Sequence, residues 1–195
     1  PALSADVALF YNLYDDLRGQ MIGSPRLVLA PPQPYILRPV IPDDSLKART
    51  KGVEIAVDWS PLPWWRIQPI YSYLDLHAWS KTGDPASLLS VATLNANSPQ
   101  HQWSLRSSMA LSERQQFDLW LRHAGKLGDS GSPLYVPAYT TLDLRYAWRP
   151  TRDFELSLVG QNLLDGQHPE SVSSLLPSRN LEIQRGYYLK ARWQF

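Results

Sequence analysis

Four histidines, one glycine-flanked serine and a scatter of carboxylates are the groups in this 195-residue chain whose types and spacing invite a chemical reading. Gly128-Asp-Ser-Gly-Ser-Pro133 comes within one residue of the Gly-Asp-Ser-Gly-Gly-Pro run that surrounds a nucleophilic serine. A serine hydroxyl becomes a nucleophile only beside a histidine base that a carboxylate orients. The segments around His77, His101 and His123 carry nothing of the sequence that accompanies such a base. Gly, Asp and Ser are also turn formers, so Ser130 is expected at a loop tip without a catalytic role. The histidines (His77, His101, His123 and His168) show no paired spacing such as His-x-x-x-His, and cysteine is absent. No metal site is expected from that pattern. Glu54 and Asp58, and Asp143 with Arg145, fall on shared strand faces; they suit a salt-linked wall better than an acid–base pair, which needs a pocket. No glycine-rich loop follows a strand and opens a helix, so no phosphate-bearing cofactor is expected. The chain is not expected to be an enzyme.

The elements that would position these groups alternate with a period of two, which is the strand signal. The last eleven residues are the clearest case. Tyr187, Leu189, Ala191, Trp193 and Phe195 face one way, and Gly186, Tyr188, Lys190, Arg192 and Gln194 the other. Ordinary strands run about five or six residues, whereas a tilted strand crossing a bilayer needs about nine to eleven. Similar alternation predicts strands over 6–17, 51–60, 64–79, 101–111, 114–125, 141–149 and 154–161, eight in all with the last. Between them, 18–48, 80–99, 126–137 and 162–184 are rich in Pro, Gly, Ser and Asn and are expected as long loops. Tyr35–Ile41 is the one short extended stretch expected inside the first of these. The remaining connections, at 61–63, 112–113 and 150–152, are tight, with Pro61 and Pro63 ending a strand because proline offers no ladder N–H.

Long connections on one side and short ones on the other are the pattern of an outer-membrane barrel, with extracellular loops and periplasmic turns. The fold class expected is therefore all-β, an antiparallel transmembrane β-barrel of about eight strands in this chain. Mean hydropathy is −0.31 and no apolar run is long enough for a transmembrane helix, a test that barrel strands escape. Lys plus Arg number 19 against 18 acids, a balance that argues against a nucleic-acid partner. The 8 Trp and 10 Tyr fall into two sets. Trp59, Trp64, Trp65, Trp148, Phe154, Trp193 and Phe195 lie beside short turns or the chain end; Tyr11, Tyr71, Tyr73, Tyr139 and Tyr187 lie toward the long loops. Such belts are the aromatic girdles of the two membrane interfaces, with outer-membrane lipid as the partner. The competing reading, a soluble core filled by these rings, predicts that they are buried.

Val136-Pro-Ala-Tyr-Thr-Thr-Leu-Asp-Leu-Arg-Tyr-Ala-Trp-Arg-Pro150, then Leu156-Ser-Leu-Val-Gly-Gln-Asn-Leu-Leu-Asp165 with His168-Pro-Glu170, closely resembles the C-terminal barrel of TonB-dependent outer-membrane receptors. The Asn-Leu-Leu-Asp step and the strand ending on Phe are the most specific parts. Weaker similarity runs through Phe10–Leu17, Gly52–Ile55, Pro63–Arg66, Tyr71–Leu74 and Ser98–His101. Pro177-Ser-Arg179 departs from the pattern, since many members have Pro-Gly-Arg closer to the last strand. The resemblance implies a 22-stranded barrel plugged by an N-terminal domain. Residues 1–195 would be the C-terminal segment of that barrel, with the plug and the part that touches the TonB complex upstream. The start Pro-Ala-Leu-Ser, without Met or a leader, is what a fragment or processed product would show. Further implications are a bacterial outer-membrane location and uptake of a scarce nutrient such as a ferric siderophore or similar chelate. The alternative is a small closed outer-membrane barrel with a structural or adhesive role; eight strands suffice for closure, with side chains filling the interior.

Cargo contact is expected in the long loops and the lumen beneath them, where His77, Trp79, Tyr135 and His168 supply rings and donors. Trp59, Trp65, Trp148, Tyr187, Leu189, Trp193 and Phe195 are expected in the membrane girdle. The resemblance also implies that the terminal aromatic strand is read by the barrel assembly machinery. Deleting Phe195 should then lower the folded outer-membrane level of the protein much more than its affinity for cargo; quantitative blotting of membrane fractions, with unchanged levels, would contradict this.

Overall fold

The period-two segments all form strands in the computed structural model, which describes residues 2–29, 32–171 and 181–195. In chain order these are β1 (Leu3–Ile22), β2 (Arg26–Val28), β3 (Tyr35–Leu37), β4 (Val40–Leu62), β5 (Trp65–Ser80), β6 (His101–Ser112), β7 (Gln115–Ala124), β8 (Tyr139–Trp148), β9 (Phe154–Gln161), β10 (Gln167–Pro169), β11 (Glu182–Gln184) and β12 (Gly186–Trp193). One helix, α1 (Pro85–Ala96), separates β5 from β6. Eight strands form one sheet in the order β1-β4-β5-β6-β7-β8-β9-β12, and β2–β3 and β10–β11 are small separate pairs. The pairings from β5 to β12 are antiparallel. β1 and β12 stand at the two edges and do not pair with each other among the described residues, so the sheet is not closed into a small barrel.

The register reproduces the two faces read from the alternation. Trp103, Leu105 and Met109 lie opposite His123, Leu121 and Phe117. Leu121, Leu119 and Phe117 in turn lie opposite Leu142, Leu144 and Tyr146. Tyr187, Leu189, Ala191 and Trp193 oppose Gly160, Leu158, Leu156 and Phe154. The apolar face is thus continuous across the ladder, and it is not a core. Among the described residues the largest buried apolar side chains are Leu46, Val136 and Val159, the rest being alanines. Trp59 is 45% exposed, Trp148 44%, Tyr187 67%, Leu189 66% and Trp193 73%, and Phe195 is fully exposed. Trp65 is half-buried, stacked on Trp64 with 6.2 Å between ring centroids, and its indole N–H donates to Ser107 Oγ at 2.9 Å. Trp193 meets Phe154 edge-on at 6.1 Å. These rings do not fill a soluble interior.

Several boundaries differ from expectation. The loop expected over 18–48 is shorter, because β1 continues to Ile22 and β4 begins at Val40, through Pro42. The short extended stretch inside it is β3, paired with β2. β4 likewise runs through Pro61 to Leu62, leaving Pro63-Trp64 as the turn. The turn after β6 is Glu113-Arg114, one residue later than expected, following an irregularity between Ala110 and Ser112. The final strand has eight ladder residues instead of eleven, although Gln194 N–H still donates to the Asp153 carbonyl at 2.8 Å. Pro177-Ser-Arg179 lies outside the described residues.

The chain forms two compact units. One comprises 1–9, 52–74 and 99–195, and holds β6 to β12 with parts of β1, β4 and β5. The other comprises 10–51 and 75–98. Its interior is small: Leu46 is fully buried and lies against Gly19, where an added Cβ would meet it at 3.0 Å, and Ser45, Ala48, Thr50 and Ala78 are buried in the same unit. Helix α1 belongs here and was expected as plain loop. Asp84 caps it, accepting from Ala86 N–H at 2.9 Å, and Pro85 occupies the first turn, where no N–H is needed. Asn95 then does the work of a neighbouring strand: its side-chain oxygen accepts from Ala78 N–H at 2.7 Å, and its amide donates to the Ala78 carbonyl at 3.3 Å. One side chain thereby satisfies both backbone groups of a strand residue. Lys47 and Lys81 pair with Asp15 and Asp16, and Asp16 holds a left-handed φ of 56° inside β1. Replacing Leu46 by Ala should cost about 2–5 kcal/mol. Hydrogen exchange should show this as faster exchange confined to residues 10–51 and 75–98; unchanged protection there would mean Leu46 is not the centre of that unit.

Candidate functional site

The polar face of the larger unit is a wall of ion pairs that the strand register brings together. Arg145 on β8 lies between Asp118 on β7 and Glu155 on β9, donating to them at 2.7 and 2.5 Å. Glu155 also accepts from Arg149 Nε at 2.8 Å, and Asp118 accepts from Gln116 at 2.9 Å. One row further along, Arg122 donates to Asp143 at 2.7 Å. Arg66 donates to Asp58 at 2.9 Å through Nε. Asp143 and Arg145 both join this wall, as the shared strand face suggested, each through a partner across the ladder, because residues two apart on a strand are farther from each other than cross-strand neighbours.

At the end of this face near the longer connections is a cavity of about 410 Å³, with Ser72, Gln102, Arg122, Tyr139, Thr141 and Glu170 among its lining. His168 lies next to it, 4% exposed, with its ring stacked on Tyr139 at 4.4 Å between centroids. His168 Nε2 is 3.3 Å from Glu170, while Nδ1 has no hydrogen-bond partner among the described residues and lies 3.9 Å from Asp165. The two carboxylates address opposite ring nitrogens and so do not converge on one ion.

Asn162 holds this corner in place. Its φ is +52°, a left-handed conformation that Asn tolerates better than most residues. The reversal directs its N–H to Asp143 Oδ1 at 2.9 Å and its side-chain amide to the Ile183 carbonyl at 3.2 Å, tying β9, β8 and β11 together. Leu163 N–H then donates to the Leu142 carbonyl at 2.9 Å, and the Leu163 side chain lies over Gly160 so closely that a Cβ there would meet it at 3.0 Å. The Asn-Leu-Leu-Asp step singled out in the sequence is thus a strand-ending clasp, and it carries the segment bearing His168 and Glu170.

The four expected contact residues do not form one group. Tyr135 and His168 belong to the larger unit, Tyr135 half-buried in a loop closed by the Leu127–Val136 bridge. His77 and Trp79 belong to the smaller unit, their rings 5.9 Å apart and tilted by 30°, exposed, and alternating with buried Ala78. Sequence reasoning left Arg122 and Glu170 unassigned and expected Tyr139 in the aromatic belt, whereas the register places Tyr139 on the polar face with Arg122. For Glu170 a signal existed: spaced two from His168 on an extended segment, it shares a face with it. Ser130 is exposed at a turn where Gly128 and Gly131 take positive φ and Ser132 N–H donates to the Asp129 carbonyl at 2.9 Å. No described hydrogen bond joins Ser130 to a histidine.

The sequence profile described as "TonB dependent receptor-like, beta-barrel" matches residues 1–163. The chain belongs to the TonB-dependent receptor β-barrel family. Among curated protein sequences none matches it. Solved structures share the receptor-barrel fold. The ferric-catecholate import receptor Fiu from E. coli K12 is 19% identical with a TM-score of 0.69, covering 100% of this chain and 25% of its own. The siderophore receptor PiuA from Acinetobacter baumannii is 17% identical with a TM-score of 0.70, over 97% of this chain and 26% of its own. The ferric yersiniabactin uptake receptor FyuA from Yersinia pestis is 16% identical with a TM-score of 0.68, over 100% and 28%. The chain thus spans about a quarter of the length of these receptors. In this receptor barrel segment, Asn162→Ala should cost about 1–3 kcal/mol through left-handed strain and lost bonds. Exchange protection at β10 and β11 should fall before that of β6 and β7; uniform loss across the sheet would show that Asn162 is not a local clasp.

Proposed function

We propose that this chain is the C-terminal segment of a TonB-dependent receptor in the bacterial outer membrane, and that the receptor takes up a scarce nutrient, a ferric siderophore or similar chelate. The observation that carries the reading is the division of the sheet into an exposed apolar face and a salt-linked polar face. The first suits contact with outer-membrane lipid; the second suits a lumen, where charges of both signs find partners. Family membership and two receptors of like fold, named for import of a ferric catecholate and uptake of ferric yersiniabactin, support the cargo class. The role is transport, without chemical change of the cargo. In this reading energy reaches the receptor from the TonB complex through an N-terminal part outside the 195 residues, and the aromatic last strand is the segment the assembly machinery engages.

The cargo would be held at the cavity bounded by Arg122, Tyr139 and Glu170, with His168 behind Tyr139 and Tyr135 on the nearby loop. His77 and Trp79, in the smaller unit, would make a further contact. The intact receptor in iron-starved cells should bind and import a labelled ferric chelate only when TonB is functional. Combining Tyr139→Ala with Glu170→Gln should weaken binding about tenfold or more, at unchanged surface level, while Ser130→Ala leaves it as it was. Combining His77→Ala with Trp79→Ala should have the smaller effect. Import without TonB would remove the receptor reading; full binding after loss of Tyr139 and Glu170 would remove the assigned site.

A further inference from the structure

The cavity at the end of the polar face has one charge left over. Arg122 and Glu170 both line it. Arg122 is already engaged: its Nη2 donates to Asp143 at 2.7 Å, and its guanidinium carbon stands 4.1 Å from the centre of the Trp120 ring. Asp143 accepts from Asn162 N–H at 2.9 Å through its other oxygen, so that pair is closed. Glu170 has no Lys or Arg partner among the described residues, and its side chain is 42% exposed. Its neighbour is His168 Nε2 at 3.3 Å, and a neutral imidazole with its proton there donates to a carboxylate without cancelling its charge. More acid stands close by. Asp165 lies 3.9 Å from the other ring nitrogen, and Glu182 is opposite Pro169. Arg185, a cation of the same corner, donates to the Asn162 carbonyl at 3.4 Å instead.

The groups beside that carboxylate suit a cation. Tyr139 borders the same cavity, and an aromatic ring presents a negative π face to ammonium and guanidinium groups. Stacking on His168, with 4.4 Å between centroids, holds the ring against the segment that carries Glu170. Ser72, Gln102, Ser104 and Thr141 add neutral polar groups to the wall, and the buried Thr141 hydroxyl has no partner among the described residues. A ligand carboxylate would meet Glu170 as a like charge, whereas an ammonium would meet it as an opposite one. Resting on the receptor reading above, we propose that the cargo enters this cavity with a positively charged group. That group is an ammonium or guanidinium on the organic part of the ferric chelate, seated between Glu170 and Tyr139. Chelates that bring a carboxylate to the same place are disfavoured, so the site selects by the charge of the chelator's side arm.

The test uses the intact receptor in outer-membrane vesicles, with its folded level checked by heat-modifiable gel mobility. The probes are ferric trihydroxamate and ferric triscatecholate complexes, each bearing a side-arm amine that is left free, acetylated or succinylated. For whichever core binds, wild type should hold the free-amine form about tenfold tighter than the succinylated form, with the acetylated form between. Glu170→Gln should remove most of that ratio and Glu170→Arg should invert it. Tyr139→Leu should lower the ratio, and Tyr139→Phe should keep it. If these variants fail to assemble, raising the salt concentration should still shrink the wild-type ratio. Equal binding of the three forms, or tighter binding of the succinylated form, overturns the proposal and leaves the receptor reading standing. Binding of no ferric chelate removes the cargo class itself, and the proposal with it.

Discussion

The constraint on which this structure depends is that a backbone crossing hydrocarbon has no water to bond. Every N–H and C=O must find a partner within the protein, and an antiparallel ladder does this while leaving the two faces free to differ. Residue by residue the ladder from β5 to β12 fixes which side chains stand together. Most of the Leu, Trp and Tyr side chains then gather on one side, and Arg, Asp and Glu on the other, where Trp120 and Tyr139 also stand. The same rule explains Asn95 at the margin of the sheet. Where β6 has not yet begun, an amide side chain takes over the bonds that a strand would have made to Ala78.

The polar face shows how a wide wall holds charge. Arg145 is shared between Asp118 and Glu155, and Glu155 between Arg145 and Arg149, so the pairs form a chain across three strands. Partly solvated pairs are individually weak, whereas removing one member of such a chain leaves a neighbouring charge uncompensated. Asp143 extends the system to the backbone by accepting from both Arg122 and Asn162 N–H. Electrostatics and chain direction are thereby coupled at the corner where the cavity lies.

Much of this was legible in the sequence, because a period of two states both the element and its faces. The assignments for 101–111, 114–125 and 154–161 agree with β6, β7 and β9 within a residue or so. What was not legible follows from physics that alternation does not carry. Proline was read as a strand breaker at 42 and 61, yet β4 passes through both, since proline is tolerated where its missing N–H is not needed for the ladder. Helix α1 has apolar residues all round and no moment to announce it; only Asp84-Pro85 marked its start. The candidate site was half legible. His168 was found as a ring near the loops, but Arg122, Tyr139 and Glu170 meet it only through cross-strand register and the left-handed turn at Asn162, neither of which spacing in one segment reveals. His77 and Trp79 matched the criteria of residue type and position, yet belong to the other unit.

The two-residue turns, Pro63-Trp64 and Glu113-Arg114, have a consequence for how such a chain can vary through descent. Apart from the irregularity between Ala110 and Ser112, these corners have little slack, and losing or gaining one codon within β6 or β7 without such a bulge would carry every later side chain of that strand to the opposite face. Arginines would then meet lipid and leucines the lumen. Length changes are best accommodated in the longer connections, such as 125–138. Strands of this kind diverge by exchange of like for like, position by position. A family held to that rule keeps its pattern of faces long after its identities have drifted below a fifth.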